Sequence, residues 1–560
     1  MDEITRRELL RRLALGAAAA TIPGQLWSCA GVGKTTGGRS FTGPKPTDFE
    51  KISPVNRFHG TSLEFSGENP DRLHSLLRDK AGALKGRKPI LDPIVHKVVI
   101  VGGGMSGILS GYLLRDLKPV ILDKGERFGG NSQGESWENV EYSIGAACFS
   151  NPVKGSSIHA LFQKAGVLEL CRKRKETDPV MLNQKVFSDF WGGQTDPAAA
   201  RQFTRLRDFF LQRQSGKIPV PSIPALSDDD LPLISELDRN DFLSYLVRQL
   251  GEPLHPHVHT LLEVYCWKTF GASMQEVSAA IAMSYYVAEF GEILVAAAGN
   301  ASIAERFLRL TMNEVPSGNF RPQSVVLDVR NVGELVHVTY IDFVGVVRTL
   351  RSEAVVMAAP KFIAARLIDG LEKDRHDAFT QLEYRSYVVG NACLDRGPTR
   401  DLHDLYMLNE GEIPFGETRR NMHNHGTSEV VFANYSQVIK DRTVLTLYYP
   451  LPFKGGQTEL IIPDSFEHFN SRIRKDLFEK ILPTLGYLNT DLRDLRLTRW
   501  GHPIPLAKPG FYWSGAPSAL AKPYGSRIFF VNQDTWAAPA IETCAHEALK
   551  WTARVRELLL

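Results

Sequence analysis

The chain has 560 residues, of which 43% are hydrophobic, so it is long enough for two or three domains with substantial cores. Its 66 basic and 63 acidic residues leave a formal net charge of +3, a near balance that excludes a predominantly nucleic-acid-binding protein. The 6 cysteines show no CxxC pair, so the sequence predicts neither a disulfide framework nor a metal site.

The first 29 residues have the pattern of an export signal. Arg6-Arg7 and Arg11-Arg12 precede a short apolar run, residues 13–22, that cannot span a bilayer. The paired arginines resemble a twin-arginine signal, which implies that the twin-arginine machinery exports the folded protein to the periplasm or cell envelope. Residues 26–29 resemble a lipobox. Cys29 is then either lipidated, giving a lipid anchor to the membrane, or discarded by cleavage nearby.

Residues 30–95 are rich in glycine, proline, serine and charged residues and contain few apolar runs. This composition predicts a linker followed by an N-terminal segment that wraps over the surface of the following domain. Within the segment, residues 70–84 are predicted to form one helix.

A glycine-rich loop follows a short strand from residue 97. Residues 97–101 are apolar and β-branched, which is typical of a buried parallel strand. Gly102, Gly104 and Gly107 then fill the GxGxxG positions at the start of a predicted helix. A second apolar run, residues 120–122, ends in Asp123. Strand, loop, helix, strand and acidic residue together predict a dinucleotide-binding site.

Each part of this pattern has a physical role. Gly102 allows the tight turn, Gly104 lets the backbone approach a pyrophosphate, and Gly107 lets the helix pack closely on the strand. The helix N-terminus offers N–H groups and a positive dipole end to the phosphates. Asp123 can accept hydrogen bonds from an adenosine ribose. The remaining loop residues expected in the site are Gly103, Met105 and Ser106.

The residues after Asp123 resemble the flavin-dependent amine oxidase superfamily, which includes carotenoid-desaturase-like dehydrogenases. In that family an acidic residue is followed by an arginine four positions on and then by Gly-Gly and usually Arg. Asp123 stands where the family usually has glutamate, and Asn131 where it usually has arginine. The resemblance implies non-covalent FAD, bound by residues that include Lys124, Arg127, Gly129, Gly130 and Asn131.

A β-rich stretch, residues 324–360, is similar to the family's return to its FAD domain. It is predicted as strands at residues 324–329, 335–341, 345–350 and 354–360. By the resemblance, backbone near Val326 contacts the adenine. Many amine oxidases also have a lysine shortly after this stretch, bonded through water to the flavin N5, and Arg366 stands in that position.

The C-terminal region resembles the same superfamily at three points. Trp500 lies in an Arg-Trp pattern, where it would pack near the isoalloxazine, and His502 would serve as a proton relay. Asp534 ends an apolar strand, where the family's carboxylate bonds the ribityl chain or ribose. Glu542 and Thr543 open the last helix, whose N-terminus would point at the flavin and stabilise negative charge on it.

The predicted fold class is α/β: a Rossmann-like FAD-binding domain with an inserted α+β substrate domain. The FAD-binding domain would comprise residues 96–150, 295–365 and 496–560. The substrate domain would comprise residues 151–294 and 366–495.

The resemblance implies an exported FAD-dependent oxidoreductase. It would take a hydride from a C–H bond of a small-molecule substrate, an amine or amino acid, and pass the electrons to oxygen or another acceptor. Three alternatives stay open: a desaturase-like dehydrogenase of an isoprenoid or lipid, a redox-neutral flavoprotein such as a sugar mutase, and a non-catalytic FAD-binding protein.

Overall fold

The computed structural model describes residues 48–57, 63–175, 177–225, 227–408 and 426–560. The predicted signal peptide and Cys29 lie outside these ranges. No helix within them is both long and apolar enough to cross a membrane.

The strands of the described residues contribute to several sheets. In chain order they are β1 Val55–Asn56, β2 Ser66–Gly67, β3 Ile90–Val101, β4 Val120–Leu122, β5 Gly134–Trp137, β6 Val140–Ser143, β7 Phe149–Ser150, β8 Arg172–Lys173, β9 Val180–Leu182, β10 Lys185–Phe187, β11 Ile293–Val295, β12 Phe320–Arg321, β13 Val325–Val332, β14 Leu335–Ile341, β15 Val347–Met357, β16 Tyr384–Leu394, β17 Asp404–Met407, β18 Glu429–Phe432, β19 Thr443–Leu451, β20 Leu492–Pro505 and β21 Ile528–Phe530.

The α-helices lie mainly on the faces of the larger sheets. In chain order they are α1 Asp48–Ile52, α2 Pro70–Arg78, α3 Lys80–Leu84, α4 Met105–Leu113, α5 Ser157–Ala165, α6 Ala200–Gln214, α7 Leu231–Leu237, α8 Phe242–Leu250, α9 Pro256–Phe270, α10 Ala279–Ala288, α11 Asn300–Met312, α12 Lys361–Leu367, α13 Lys373–Gln381, α14 Ser465–Asp476, α15 Leu482–Leu485, α16 Ala516–Ala521 and α17 Ile541–Leu559.

The first large sheet has the order β12-β4-β3-β15-β14-β13, with β21 also paired to β15. Strands β12, β4, β3, β15 and β21 run parallel, and β13, β14 and β15 form an antiparallel meander. The separate strands predicted at residues 345–350 and 354–360 are wrong, because β15 is one strand. It pairs with β14 at its start, with β21 at its end and with β3 along most of its length.

Apolar helices cover this sheet, as a parallel sheet requires. On one face, buried side chains of α4, α11 and α17 form a core with β3 and β15. Another core joins the meander to α2 and α12. The sheet therefore draws on chain segments far apart in sequence. Its strand β3 begins at Ile90, six residues before residue 96, the predicted start of the FAD-binding domain.

The second large sheet has the order β10-β9-β17-β18-β19-β16-β20-β2 and is mostly antiparallel. Its neighbours β16 and β20 pair from Leu394 with Leu492 to Tyr384 with Pro505. The boundary predicted at residue 496 falls inside this continuous ladder. Residues 496–505 therefore belong to the second sheet, and the chain returns to the first sheet only at β21.

Helices α6 to α10 pack in one large apolar core with the second sheet. Helix α9 ends before Gly271, whose φ is +63°, and α10 follows. A Cβ there would lie 2.3 Å from Cβ of Arg385, so the glycine ends α9 and lets β16 pass close by.

The N-terminal segment contacts both sheets. β2 pairs with β20 at the edge of the second sheet, while Leu73 and Leu77 of α2 are buried in the core of the first. The predicted single helix over residues 70–84 is wrong. Asp79 interrupts it and caps α3 by accepting a hydrogen bond from Gly82 N–H.

Candidate functional site

A cavity of about 860 Å³ is lined by residues of both large sheets and of the N-terminal segment. Most of the predicted site residues line it: Gly102, Gly104, Met105, Ser106, Asp123, Lys124, Gly129, Gly130, Asn131, Val326, Trp500, His502, Asp534 and Glu542. The predicted residues outside the lining are Gly103, Gly107, Arg127, Arg366 and Thr543. We give the name glycine-loop half to the part lined by Gly102, Gly104, Met105, Ser106, Asp123, Lys124, Gly129, Gly130, Val326, Trp500, Asp534, Ala540 and Glu542.

The glycine loop has the tight geometry that the sequence predicts. Gly102 has a φ of +107°, and a Cβ on Gly107 would lie 1.9 Å from the carbonyl oxygen of Gly102. A Cβ on Gly104 would meet nothing closer than Cα of Gly130, at 3.7 Å. Gly107 thus serves helix packing behind the loop, whereas Gly104 keeps open the space in front of it. No side chain caps the N-terminus of α4, so its N–H groups are available to a ligand.

The Asp123 carboxylate braces the loop. Oδ2 accepts the N–H of Gly103 at 2.6 Å and Oδ1 accepts the N–H of Gly125 at 2.7 Å. Burial raises the pKa of Asp123, while these two N–H groups and Lys124 oppose that shift. The carboxylate also lines the cavity, and oxygens with spare lone pairs can accept further hydrogen bonds from a ligand.

Arg127 does not line the cavity. Its guanidinium donates to the backbone oxygens of Glu50 and Ser53, so it ties the segment around α1 to the loop. The following residues do face the cavity: Gly129 forms a bridge with Gly104, and Gly130 has a φ of +57°. Asn131, the unusual residue of the motif, donates to the backbone oxygen of Pro503 at 3.3 Å.

Arg366 is misplaced in the sequence-based prediction. Its side chain is exposed and lies outside the cavity lining. On α12, residue 366 lies about 140° around the helix from Lys361, since each residue turns about 100°. Lys361, at the start of the same helix, is buried, but it also lies outside the cavity lining. Its Nζ donates to Asn532 and Thr535, and burial lowers its pKa to about 8.

Asp534 lies beside Lys361 at the end of β21. Its Oδ2 accepts the backbone N–H of Lys361 at 2.8 Å and the hydroxyl of Tyr384 at 2.5 Å. Burial raises the pKa of Asp534. Helix α17 follows, and no side chain caps its N-terminus at Ala540, which lines the cavity. Glu542 there accepts the N–H of Ser150 at 2.7 Å.

Trp500 and His502 both line the cavity from β20. The indole N–H of Trp500 donates to the backbone oxygen of Ile144 at 2.6 Å, which fixes the ring. The ring of His502 lies 4.8 Å from that of Phe362. Burial lowers the pKa of His502, with Glu68 acting against that shift. The role of His502 as a proton relay stays a prediction.

The N-terminal segment contributes lining residues that the sequence reasoning missed: Glu68, Leu73 and His74. Glu68 accepts the N–H of Gly501 at 2.8 Å and pairs with Lys124 at 3.3 Å. Burial alone would raise the pKa of Glu68, but Lys124, His502 and the Gly501 N–H together lower it. The segment therefore covers the cavity beside Asp123 rather than only the domain surface.

A second group of lining residues includes buried charged side chains, and no sequence motif indicated this group. We call this part the ionic half: Cys148, Tyr265, Lys268, Glu289, Tyr387, His403, Glu429 and Tyr448. Lys268 Nζ lies 2.8 Å from Glu429 Oε1, and the side chains are 13% and 4% exposed, respectively. Behind the lining, Arg174 pairs with Glu289 at 2.8 Å and with Asp404 at 3.3 Å.

The glycine-loop half fits a dinucleotide such as FAD. It combines two uncapped helix N-termini for negative charge with glycines that leave space for phosphates. Asp123 lines this half beside the loop, and Asp534 lines it together with Ala540 at the N-terminus of α17. Burial raises the pKa of Cys544, the lining cysteine of α17, to about 12, which makes it a poor nucleophile for covalent attachment.

The comparisons with known proteins agree with this geometry. The family of NAD(P)-binding Rossmann-like domains matches residues 100–165. Oxidoreductase PigB of Serratia sp. (strain ATCC 39006) is 22% identical over 508 residues, which is 80% of this chain and 73% of that protein. Cyclohexylamine oxidase from Brevibacterium oxydans IH-35A has a TM-score of 0.58 at 14% identity, over 83% of this chain and 99% of its own.

A fatty acid isomerase from P. acnes, described as CLA-producing, has a TM-score of 0.59 at 15% identity, over 82% of this chain and 98% of its own. These likenesses show the fold. It is a mixed α/β architecture with a Rossmann-like domain, like that of cyclohexylamine oxidase, and the predicted fold class is confirmed. Because one fold hosts several chemistries, the reaction has to be argued from the cavity.

Proposed function

We propose that the protein is a FAD-dependent oxidoreductase of the amine-oxidase-like type, acting on a small amine or amino acid. The observation that carries the proposal is the single cavity, which joins a dinucleotide-type glycine loop to a buried ionic pocket. The names of two similar proteins, oxidoreductase PigB and cyclohexylamine oxidase, support the same class of reaction. When bound, FAD supplies a ring that accepts a hydride and passes electrons to oxygen or another acceptor.

The residues of the glycine-loop half would hold the cofactor without a covalent bond. The N-termini of α4 and α17 favour negative charge, the first at the pyrophosphate and the second at the flavin. Asp123 would accept the adenosine ribose hydroxyls, Val326 backbone would contact the adenine, and Asp534 would bond the ribityl chain. Trp500 would pack near the ring and keep water from the reacting carbon.

The ionic half favours an amine over an isoprenoid or lipid. A dehydrogenase of a wholly apolar substrate has no use for Lys268 and Glu429, since buried charges are costly without a polar ligand. The likeness to a fatty acid isomerase nevertheless keeps a redox-neutral or lipid reaction as the second candidate.

Anaerobic bleaching of the bound flavin tests the proposal. The purified holoprotein is mixed with primary and secondary amines, amino acids, unsaturated fatty acids and isoprenoids, and the absorbance near 450 nm is followed. We expect an amine or amino acid to bleach the flavin. Admission of air, or addition of a quinone acceptor, should then restore the absorbance. Bleaching by an isoprenoid alone, or turnover of a fatty acid without net bleaching, would refute the amine reading.

We also propose that the protein is exported in its folded state, on the strength of the arginine pairs near its N-terminus. Mass spectrometry of the mature N-terminus from the native host tests this. A terminus at Cys29 carrying acyl chains is expected if the lipobox is used, and an unmodified terminus elsewhere excludes the anchor. A mature protein that begins at Met1 would overturn the export proposal.

A further inference from the structure

Lys268 and Glu429 form a largely buried ion pair whose two members both line the cavity. Glu429 lies at the start of β18 and Lys268 in the last turn of α9, and their 2.8 Å contact joins residues 161 positions apart. The Nζ of Lys268 donates a hydrogen bond to Oε1 of Glu429. Both residues line the cavity, so a ligand can reach the pair.

Carboxyl groups outnumber cations around this pair. Arg174 and Lys268 are the cations, and Glu289, Asp404 and Glu429 are the carboxyl groups. A further buried carboxyl, Asp178, accepts hydrogen bonds from Trp191 and Tyr286. A pocket in which carboxyl groups outnumber cations favours the binding of a further cation.

The other carboxyl groups around this pair have a partner that lies outside the cavity lining. Glu289 and Asp404 share Arg174, which is behind the lining. Glu429 differs, because its partner Lys268 itself lines the cavity, so a ligand can contact both side chains. We propose that Glu429 binds the ammonium of an amine substrate beside Lys268 and accepts one proton from it.

The proposal rests on the proposed function and adds the step that prepares the substrate. An alkylammonium has a pKa near that of lysine, roughly 10.4, so it enters protonated at neutral pH. One N–H bond breaks, an O–H bond forms on Glu429, and the electron pair stays on nitrogen. Only this neutral amine has the lone pair needed to form a C=N bond as the hydride leaves the neighbouring carbon.

The titration behaviour of the surroundings fits this role. Burial raises the pKa of Glu429 to about 7, even though Lys268 opposes the shift. Burial also raises the pKa of each facing hydroxyl well above 10, on Tyr265, Tyr387, Tyr406 and Tyr448. Burial lowers the pKa of His403 to about 4. Burial likewise raises the pKa of the Cys148 thiol. Of the described cavity-lining groups named here, Glu429 is the one whose pKa lies near neutrality.

The first test is the pH profile of anaerobic flavin reduction, measured with whichever amine bleaches the flavin fastest. In the wild type the rate should rise with pH through about 7 as Glu429 becomes ionised. Glu429→Gln should lose this rise and react at least about 100-fold more slowly at pH 7.5, the usual size of a general-base effect. Lys268→Met should move the rise to higher pH, because Lys268 favours the carboxylate. Asp401→Asn, an exposed carboxylate outside the cavity, is the control.

The second test needs no turnover. tert-Butylamine and 2-phenylpropan-2-amine have no hydrogen on the carbon beside nitrogen, so they can bind but cannot be oxidised. We expect both to perturb the flavin spectrum of the wild type and to bind at least 10-fold more weakly to Glu429→Gln. If Glu429→Gln folds poorly because Lys268 is left unpaired, the double variant Glu429→Gln/Lys268→Met removes both charges and should show the same weak binding.

The outcomes separate the two proposals. If the unreactive amines bind through Glu429 but no oxidisable amine bleaches the flavin, Glu429 is an ammonium-binding residue and the proposed function fails. If amines bleach the flavin and Glu429→Gln keeps the wild-type pH profile and affinity, the inference fails and the function stands. Failure of the wild type to bind either unreactive amine, or binding of pivalate that Lys268→Met abolishes, would also overturn the inference.

Discussion

The glycine-loop half and the ionic half of the cavity are built from different parts of the chain and in different ways. The first uses mainly backbone: the N-termini of α4 and α17 and the glycines of the loop. The carboxylate of Asp123, which braces this loop, lies 20 residues along the chain from Gly103. The second uses charged side chains from elements as far apart as α9 and β18. Backbone sites need few residue types and tolerate little added volume. Side-chain sites depend on pairs, so the removal of one member exposes the cost of the other.

The largest expected effect comes from filling the open space of the glycine-loop half. Gly104→Val places its methyl groups where phosphates would lie, although its Cβ meets no protein atom closer than 3.7 Å. We therefore expect a folded protein without detectable FAD, measured by the ratio of absorbance at 450 and 280 nm. Gly318→Val, at a glycine whose Cβ would meet nothing within 4 Å, should keep its FAD. Normal FAD content in Gly104→Val would break the assignment of this half.

The ionic half should respond in the opposite way. Lys268→Met leaves the buried Glu429 carboxyl without its partner, and once it takes up a proton the unpaired polar group typically costs about 1–3 kcal/mol of stability. We expect a lower unfolding temperature with FAD content unchanged, and recovery when Glu429→Gln is added. Lys173→Met removes an exposed ion pair with Glu292 and should cost no more than about 1 kcal/mol. Loss of FAD in folded Lys268→Met, or no recovery in the double variant, would contradict the separation of the halves.

The same contrast explains how much the sequence could predict. The strand, loop and helix around Gly102 are local, so residue spacing alone fixes the geometry, and the sites at Asp123 and Asp534 follow from strand ends. Lys268 and Glu429 carry no spacing signal, because only tertiary folding brings them together. The predicted position of Arg366 beside the flavin is wrong, because gapless counting ignores the helical phase that places Arg366 on the exposed face of α12.

The N-terminal segment was predicted from its composition to wrap over the domain surface. That prediction did not include the part of the segment that lines the cavity. A low content of apolar runs does not reveal that Leu73 and Glu68 face a cavity. The boundary at residue 496 failed for a related reason: one long strand, β20, continues past the point where the motif containing Trp500 begins.

A smaller effect is expected from the loop brace. In Asp123→Asn only one of the two side-chain atoms can accept, so the N–H of Gly103 or of Gly125 loses its partner. The loss of a charged hydrogen bond costs about 1.5–3 kcal/mol, which corresponds to roughly 10- to 100-fold weaker FAD binding. Flavin fluorescence titration of the apoprotein measures this. Glu126→Gln, whose carboxylate accepts from Gln323 nearby, is the control. Equal weakening in both variants would show that the brace has no specific role.

The smallest effect should come from the N-terminal segment, because it covers the glycine-loop half without forming its base. Glu68→Gln keeps an acceptor for the Gly501 N–H but loses the charge pair with Lys124, a partly exposed contact worth about 0–1 kcal/mol. We expect FAD to leave only a few times faster, measured by the fluorescence of released flavin after dilution, with Glu64→Gln as the exposed control. A loss as large as that in Asp123→Asn would mean that the segment carries the site rather than covers it. An unchanged rate would mean that FAD leaves by another face, and the contrast between the halves would then rest on the loop alone.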